Sequence, residues 1–389
     1  MQPRRWFGVG SCAGAQERAG ARAVDDALIH EDPKLLIVFC SPVHDPQALL
    51  RQVRERAGDV PLIGCTTGGE ITAAGPSDAA VVVAALGGSG FEVRTSVATG
   101  GSHNLREAGA RVARCAPDNE DLPHKVLLLL SDGRGGDQQE VIRGAHGVLG
   151  AAVPLVGGCA CDDLTKNRAF QLHGDQVLTD SVVAAWIASD GPLGIGVRHG
   201  WTRVGEPMLV TSSTGNRVYT LDDRPALDAY LRHLGVTESA QPDEEGLKRL
   251  SFTHPFGLGR PNGEDQVRFI GGGDLTDRSL SCVAEVPQDA LVWIMEGDAQ
   301  SVLDATDAAC SDSLAALGGS PPLGLIAFDC VARRGLLGEG EGGIKAEIGR
   351  LAAMAAGAPL AGFYSYGEIA RTRGPRGFHN QTLVVLSIG

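Results

Sequence analysis

The sequence predicts an α/β protein of mixed sheets, built from repeated βαβ units and arranged as two related halves with a cleft between them. Three observations predict it. Continuous apolar runs of strand length recur, amphipathic stretches with helical spacing follow them, and each such stretch leads into a Pro-Leu-x-Gly strand. The first unit runs Leu35 to Ser41, Asp45 to Ala57, then Val60 to Glu70. The second runs Lys125 to Asp132, Gln138 to Gly150, then Val153 to Cys159. The third runs Leu323 to Cys330, Glu341 to Gly357, then Ala358 to Glu368.

Each element has a local reason. Leu49-Leu50, Val53 and Ala57, or Ile344, Ile348, Leu351 and Met354, fall on one face of a helix. Asp45 followed by Pro46 starts a helix, because Asp accepts from free amides and Pro fits the first turn. Gly58, Gly150 and Gly357 stand where helix C-termini need glycine. Strands are expected over Ala79 to Leu86, Phe91 to Val97, Arg168 to Leu172, Val182 to Ile187, Met208 to Ser212, Gln266 to Ile270 and Leu291 to Met295. His173-Gly174-Asp175 forms a turn before Val182. Leu221 to Leu234 reads as a helix and Glu238 to Gly246 as an exposed loop. A boundary near Gly215-Asn216 divides the chain into domains 1–215 and 216–389.

The bulk numbers narrow the function. With 389 residues, 43% hydrophobic and 21% charged, the chain has ordinary globular composition. A net charge of −13 argues against a broad nucleic-acid-binding face, which needs clustered Lys and Arg. No run approaches the roughly 20 apolar residues that span a bilayer, and no leader segment is evident, so no membrane role and a cytoplasmic location are expected. Nine scattered cysteines read as reduced, largely buried thiols rather than a disulfide framework.

In parallel sheets, ligands lie beyond the C-terminal strand ends. That places Cys40, Ser41, Cys65, Thr66, Thr67, Glu70, Cys159, Asp162, Arg333, Tyr364, Tyr366, Glu368, His379 and Asn380 in the candidate ligand site. Other chemistries fit less well. Zinc through Cys159-x-Cys161 with Cys65 or Cys40 lacks a Cys-x-x-Cys pair, and no His is paired in sequence with a nucleophilic Cys. Phosphate-cradling Gly-Lys loops and Gly-x-Ser-x-Gly elbows are absent. Asp132, Asp162, Glu70 and Glu368 offer acid–base chemistry or ordinary loop hydrogen bonds. His254 or His379 offers a haem ligand or an ordinary loop partner, and Arg333-Arg334 a carboxylate fork or a solvated loop.

The joint pattern resembles the FIST proteins, a sensory family with an N-terminal and a C-terminal FIST domain. The matching stretches include Val38 to Ser41, Pro61 to Ile71, Pro154 to Gly158, Gly205 to Pro207, Asn216 to Asp222, Phe328 to Arg334, Gly362 to Ile369 and Phe378 to Thr382. The resemblance implies a cytosolic input domain that binds small ligands such as amino acids. It also implies linkage to histidine kinases, cyclic-diguanylate enzymes or chemoreceptors. One branch of that family comprises haem-binding nitric oxide sensors. The expectation is therefore a non-enzymatic ligand sensor without a required cofactor, its ligand an amino acid, signalling through a separate partner. A haem-based sensor and a thiol or acid–base enzyme are the alternatives.

Overall fold

The structure is a computed structural model and describes residues 3–14, 16–117, 121–162, 168–236, 242–259, 265–372, 374 and 376–389. It is a mixed α/β architecture in which three six-stranded sheets share one strand order. The first sheet runs Trp6–Cys12, Val81–Gly87, Pro33–Cys40, Leu62–Thr66, Gln171–His173, Gln176–Leu178. The second runs Phe91–Thr99, Ser181–Ser189, His124–Asp132, Leu155–Ala160, Glu368–Arg371, Phe378–His379. The third runs Leu193–Arg198, Leu383–Ile388, Gly324–Cys330, Leu360–Ser365, Glu70–Thr72, Gly75–Ser77.

In every sheet the two central strands are parallel and their neighbours antiparallel. The last two strands of each sheet form a hairpin that belongs, in sequence, to another sheet. Hairpin 70–77 leaves the first sheet for the third, hairpin 368–379 leaves the third for the second, and hairpin 171–178 leaves the second for the first. This cyclic exchange covers the free edge of each parallel pair, whose N–H and C=O groups would otherwise be unpaired.

The parallel pairs explain the continuous apolar runs. Leu35, Ile37 and Phe39, Leu128 and Leu130, and Ile326 and Phe328 point into one central core shared by all three sheets. The Phe39, Phe328 and Phe363 rings pack there with centroids 4.8–6.4 Å apart. The alternate residues pack outward beneath helices: Leu36 and Val38 with Leu49, Leu127 and Leu129 with Val141, Leu325 and Ala327 with Ile348. The Pro-Leu-x-Gly glycine has the same cause three times. A Cβ on Gly64, Gly157 or Gly362 would stand 2.4, 1.9 or 2.3 Å from the carbonyl oxygen of Val38, Leu129 or Ala327 on the partner strand.

The helix Pro46–Ala57 forms as its sequence dictates. Asp45 accepts from the Ala48 amide at 2.6 Å, Leu49, Leu50 and Val53 are buried, and Gly58 closes the end at φ 58°. The central helices Gln139–Leu149 and Ile344–Met354 occupy matching positions between their parallel strands.

Other expectations need correction. Segment 341–357 is only partly the third crossover helix: Val331–Leu337 forms a helix of its own, so Arg333 and Arg334 are helical and not in a loop. Leu221–Leu234 divides into the end of strand Arg217–Leu221, the short strand Arg224–Pro225 and helix Ala226–His233. Glu238 to Gly246 lies partly outside the described residues, and its end belongs to helix Glu244–Thr253. The turn at Gly174-Asp175 pairs Gln171–His173 with Gln176–Leu178, not with the later strand from Ser181.

Instead of two halves, the arrangement is three like sheets plus one insertion. The segment from Thr202 to Glu296 carries the whole of an eight-stranded sheet over a separate core that includes Val210, Tyr230, Phe256 and Ile294. Residues 215 and 216 form the turn of a hairpin within that sheet, where Thr214 pairs with Arg217.

Candidate functional site

The three hairpins cross from sheet to sheet just beyond the parallel strand ends, so the chain passes there as Thr67-Gly68-Gly69-Glu70, as Ser365-Tyr366-Gly367-Glu368, and as Ala160-Cys161-Asp162 followed later by Gln171. Backbone bonds tie the crossings to one another. Gly68 donates to the Tyr364 carbonyl and Tyr364 to the Gly69 carbonyl, both at 2.9 Å. Cys159 donates to the Gly367 carbonyl at 2.8 Å, and Cys161 to the Thr66 carbonyl at 3.1 Å.

Strand register makes Glu70, Gln171 and Glu368 equivalent: they oppose Phe363, Cys65 and Gly158, the same position in each parallel pair. Each is fully buried. Each also accepts from the amide that opens the returning strand: Glu70 from Ala80 at 2.9 Å, Gln171 from Ser181 at 3.2 Å, Glu368 from Thr382 at 3.3 Å. The second carboxylate oxygen contacts a hydroxyl in two crossings, Thr67 for Glu70 and Ser365 for Glu368. Ala160 occupies that place in the remaining crossing, and the Gln171 Nε2 is buried without a partner. Burial raises the Glu70 carboxyl to about 7 and the Glu368 carboxyl to about 8, against the lowering effect of those hydrogen bonds.

Most of the residues expected at the strand ends meet here, but as buried scaffold. Ser41 donates to the Asp78 carbonyl at 2.7 Å, and Thr66 Oγ1 accepts from the Phe170 amide at 2.9 Å. Cys40 Sγ lies 3.7 Å from the Cys65 carbonyl, Cys159 Sγ 3.3 Å from Ser131 Oγ, and Cys161 donates to the Tyr364 carbonyl at 2.9 Å. Burial pushes the Cys40, Cys65 and Cys161 thiols up, and that of Cys159 to about 12, so these thiols stay protonated at neutral pH. Among the described residues, no group of three or more His, Cys, Asp or Glu stands as a metal cage.

Arg333 also corrects the reading of a ligand fork. It is fully buried; its Nε donates to Asp329 at 2.8 Å, and its other nitrogens donate to Glu347, Thr306 and the His199 and Val302 carbonyls. It binds the helix Ile344–Met354 to strand Gly324–Cys330. His379 is buried with Nε2 3.0 Å from the Ala370 carbonyl, and Asn380 donates to the His379 carbonyl at 3.0 Å.

The third crossing is different. Asp162, itself buried, accepts from the Tyr366 hydroxyl at 2.6 Å, at both carboxylate oxygens from Arg134 Nη2 at 3.1 and 3.2 Å, and from the Arg168 amide at 2.9 Å. The Arg134 guanidinium lies 5.6 Å from the Tyr366 ring centre and its side chain is 37% exposed, so this crossing opens to solvent. A surface depression of about 230 Å³ near His44, Asp45 and Gln52 lies elsewhere, over the start of helix Pro46–Ala57; no crossing residue lines it. Sequence reasoning missed Arg134 and Gln171. The Gly-Glu-Ile echo exposed Glu70 and Glu368, but more residues separate Gln171-Leu172 from its strand in sequence and hide the third copy.

Family models of the FIST N domain and the FIST C domain match residues 34–224 and 226–371. The chain belongs to the FIST family. FIST domains are sensory, ligand-binding domains of signal transduction. The FIST N stretch holds the parallel pairs of the first and second sheets; the FIST C stretch holds that of the third. The chain is 27% identical to an uncharacterised protein of Mycobacterium tuberculosis over 392 residues, covering 97% of each. It is 25% identical to one of Mycobacterium bovis over 394 residues, again covering 97% of each. An uncharacterised Methanocaldococcus jannaschii protein is 29% identical over 126 residues, 30% of this chain and 25% of that one. A solved structure of T. maritima PurL complexed with ADP overlaps at a TM-score of 0.23 and 12% identity, covering 98% of this chain and 71% of that one. No helix among the described residues is long and apolar enough to cross a membrane.

Proposed function

We propose that this FIST chain is a cytosolic sensor that reads a small carboxylate-bearing ligand, an amino acid first among them, at the open crossing of Arg134, Asp162 and Tyr366. The supporting observation is asymmetry among equivalents. Two crossings are closed by a Glu and a hydroxyl, whereas the third replaces both and places a half-exposed arginine beside a carboxylate and a phenol. A guanidinium forks onto a carboxylate, and the buried Asp162, which accepts from Tyr366, Arg134 and the Arg168 amide, holds Arg134 in place for it. Binding there bears on hairpins held by two other sheets, a route by which a separate kinase, cyclic-diguanylate enzyme or chemoreceptor senses occupancy.

A thermal-shift panel of amino acids, small acids and haem tests this. A ligand at 100 times its Kd adds roughly 2.7 kcal/mol of stability, and Arg134→Ala should remove that gain. Binding that survives Arg134→Ala would place the ligand elsewhere. A Soret band on haem addition, lost on replacing His379 or His254, would favour the gas-sensor reading instead.

A further inference from the structure

We propose that Glu70 and Glu368 are proton clasps: each fastens its exchanged hairpin to the neighbouring sheet in the carboxylic-acid form, and proton release loosens the hairpin.

The hydrogen-bond geometry carries this. Thr67 Oγ1 touches two acceptors, the Cys40 carbonyl at 3.3 Å and Glu70 Oε1. Ser365 Oγ likewise touches the Gly367 carbonyl at 3.1 Å and Glu368 Oε1 at 2.6 Å. A hydroxyl has one proton to donate. If it goes to the carbonyl, the contact with Glu is complete only when the carboxyl carries its own proton and donates to the hydroxyl oxygen. Both crossings then read acid to hydroxyl to backbone carbonyl, with the other Glu oxygen still accepting from Ala80 or Thr382.

The third crossing supports the same state. Gln171 is a neutral side chain of the same shape as Glu and makes the same amide bond, with N–H donors where the acid would hold its proton. The fold thus already tolerates the neutral form at one of three equivalent places.

The surroundings offer an ionised Glu70 little compensation. The groups acting on it are the Cys40 and Cys65 thiols and the Asp78 carboxylate. Glu368 faces the Cys330 and Cys159 thiols and Asp329, with Arg333 already bound by Asp329 and Glu347. Burial raises both carboxyls into the neutral range, helped at Glu70 by Asp78, which is itself paired with Arg334, and opposed at Glu368 by the Ser365, Thr382 and Cys330 hydrogen bonds and by the Arg333 charge. An unfolded Glu ionises near 4.3. The folded state therefore binds more protons above that pH, and stability falls as pH rises toward about 7 for Glu70 and about 8 for Glu368, then levels.

The decisive measurement is an infrared titration of the intact chain, reading the protonated-carboxyl band from pH 5 to 9. The band should persist at pH 6.5, fall in Glu70→Gln and in Glu368→Gln, and fall furthest in the double variant, which keeps only what other buried carboxyls such as Asp329 contribute. The thermal midpoint of the double variant should no longer fall across that range. A wild-type chain with no such band at pH 6.5, or a band that both single variants leave unchanged, overturns the proposal. Should the double variant not fold, Gln171→Glu with Ala160→Ser gives an independent reading. A third clasp must add to the band and steepen the fall in midpoint with pH, and failure of both changes counts against the clasp. Neither readout involves a ligand, so failure here leaves the Arg134 site untouched.

Discussion

The closed crossing at Glu70 and the open crossing at Asp162 do the same architectural task with different residues. Both carry a hairpin out of one sheet and onto another. At Glu70 a Thr-x-x-Glu turn seals the passage three residues after Thr67, with the Thr67 hydroxyl and the Glu70 carboxyl both buried. At Asp162 the connection is longer in sequence, alanine and glutamine replace the hydroxyl and acid, and a 37%-exposed Arg134 is held by the buried Asp162, which also accepts from Tyr366. The difference teaches that the closed form is sufficient for the fold. The Glu70 crossing also has a guanidinium over a tyrosine ring, Arg334 over Tyr364, but that arginine is 14% exposed; what the open form adds is one 37% exposed, a charge that recognition can reach.

The comparison breaks most severely where the third sheet relies on a fully buried ion network with no counterpart among the described residues of the others. Arg333→Ala leaves Asp329 and Glu347 without their cation and should cost about 3–5 kcal/mol in urea unfolding. A cost below 1 kcal/mol would mean that the network is not what binds helix Ile344–Met354. Next, Gly64→Ala, Gly157→Ala and Gly362→Ala each drive a Cβ into a partner carbonyl. Losses of about 1–3 kcal/mol, alike at the three sites, would sharpen the equivalence; one silent site would break it. Smaller still is the hydroxyl effect: Thr67→Val and Ser365→Ala should each cost about 1 kcal/mol. Ala160→Ser, by offering Gln171 a partner, should be neutral or slightly stabilising. Arg134→Ala should cost about 1 kcal/mol, because Arg134 is 37% exposed and the buried Asp162 keeps the Tyr366 hydroxyl and the Arg168 amide, yet it should abolish ligand binding.

Much of this was legible from residues alone. The apolar runs at Leu35 and Lys125, the Asp45-Pro46 helix start and the shared Pro-Leu-x-Gly reflect local steric and burial rules, and each forms as its pattern dictates. The strand-end rule gathered Thr67, Glu70, Ser365 and Glu368 into one region, although it took no account of how deeply they lie. It also misjudged Arg333. A paired arginine after a strand looks like a solvated fork, and only the approach of Glu347, fourteen positions later and on another helix, buries it.

The sequence by itself determined where strands and helices form, which residues face inward, and that the chain belongs to a FIST-like sensory class. The first two follow from periodicity, capping and steric limits that act over a few residues; the family class follows from the resemblance of its motifs. Only the tertiary structure decided that the hairpins trade places around three sheets, that Gln171 stands in register with two glutamates, and that one crossing stays open. Strand pairing joins backbone groups that are chemically alike in every strand. Which edge a hairpin covers is therefore set by the packing of the whole chain and not by the hairpin's own residues.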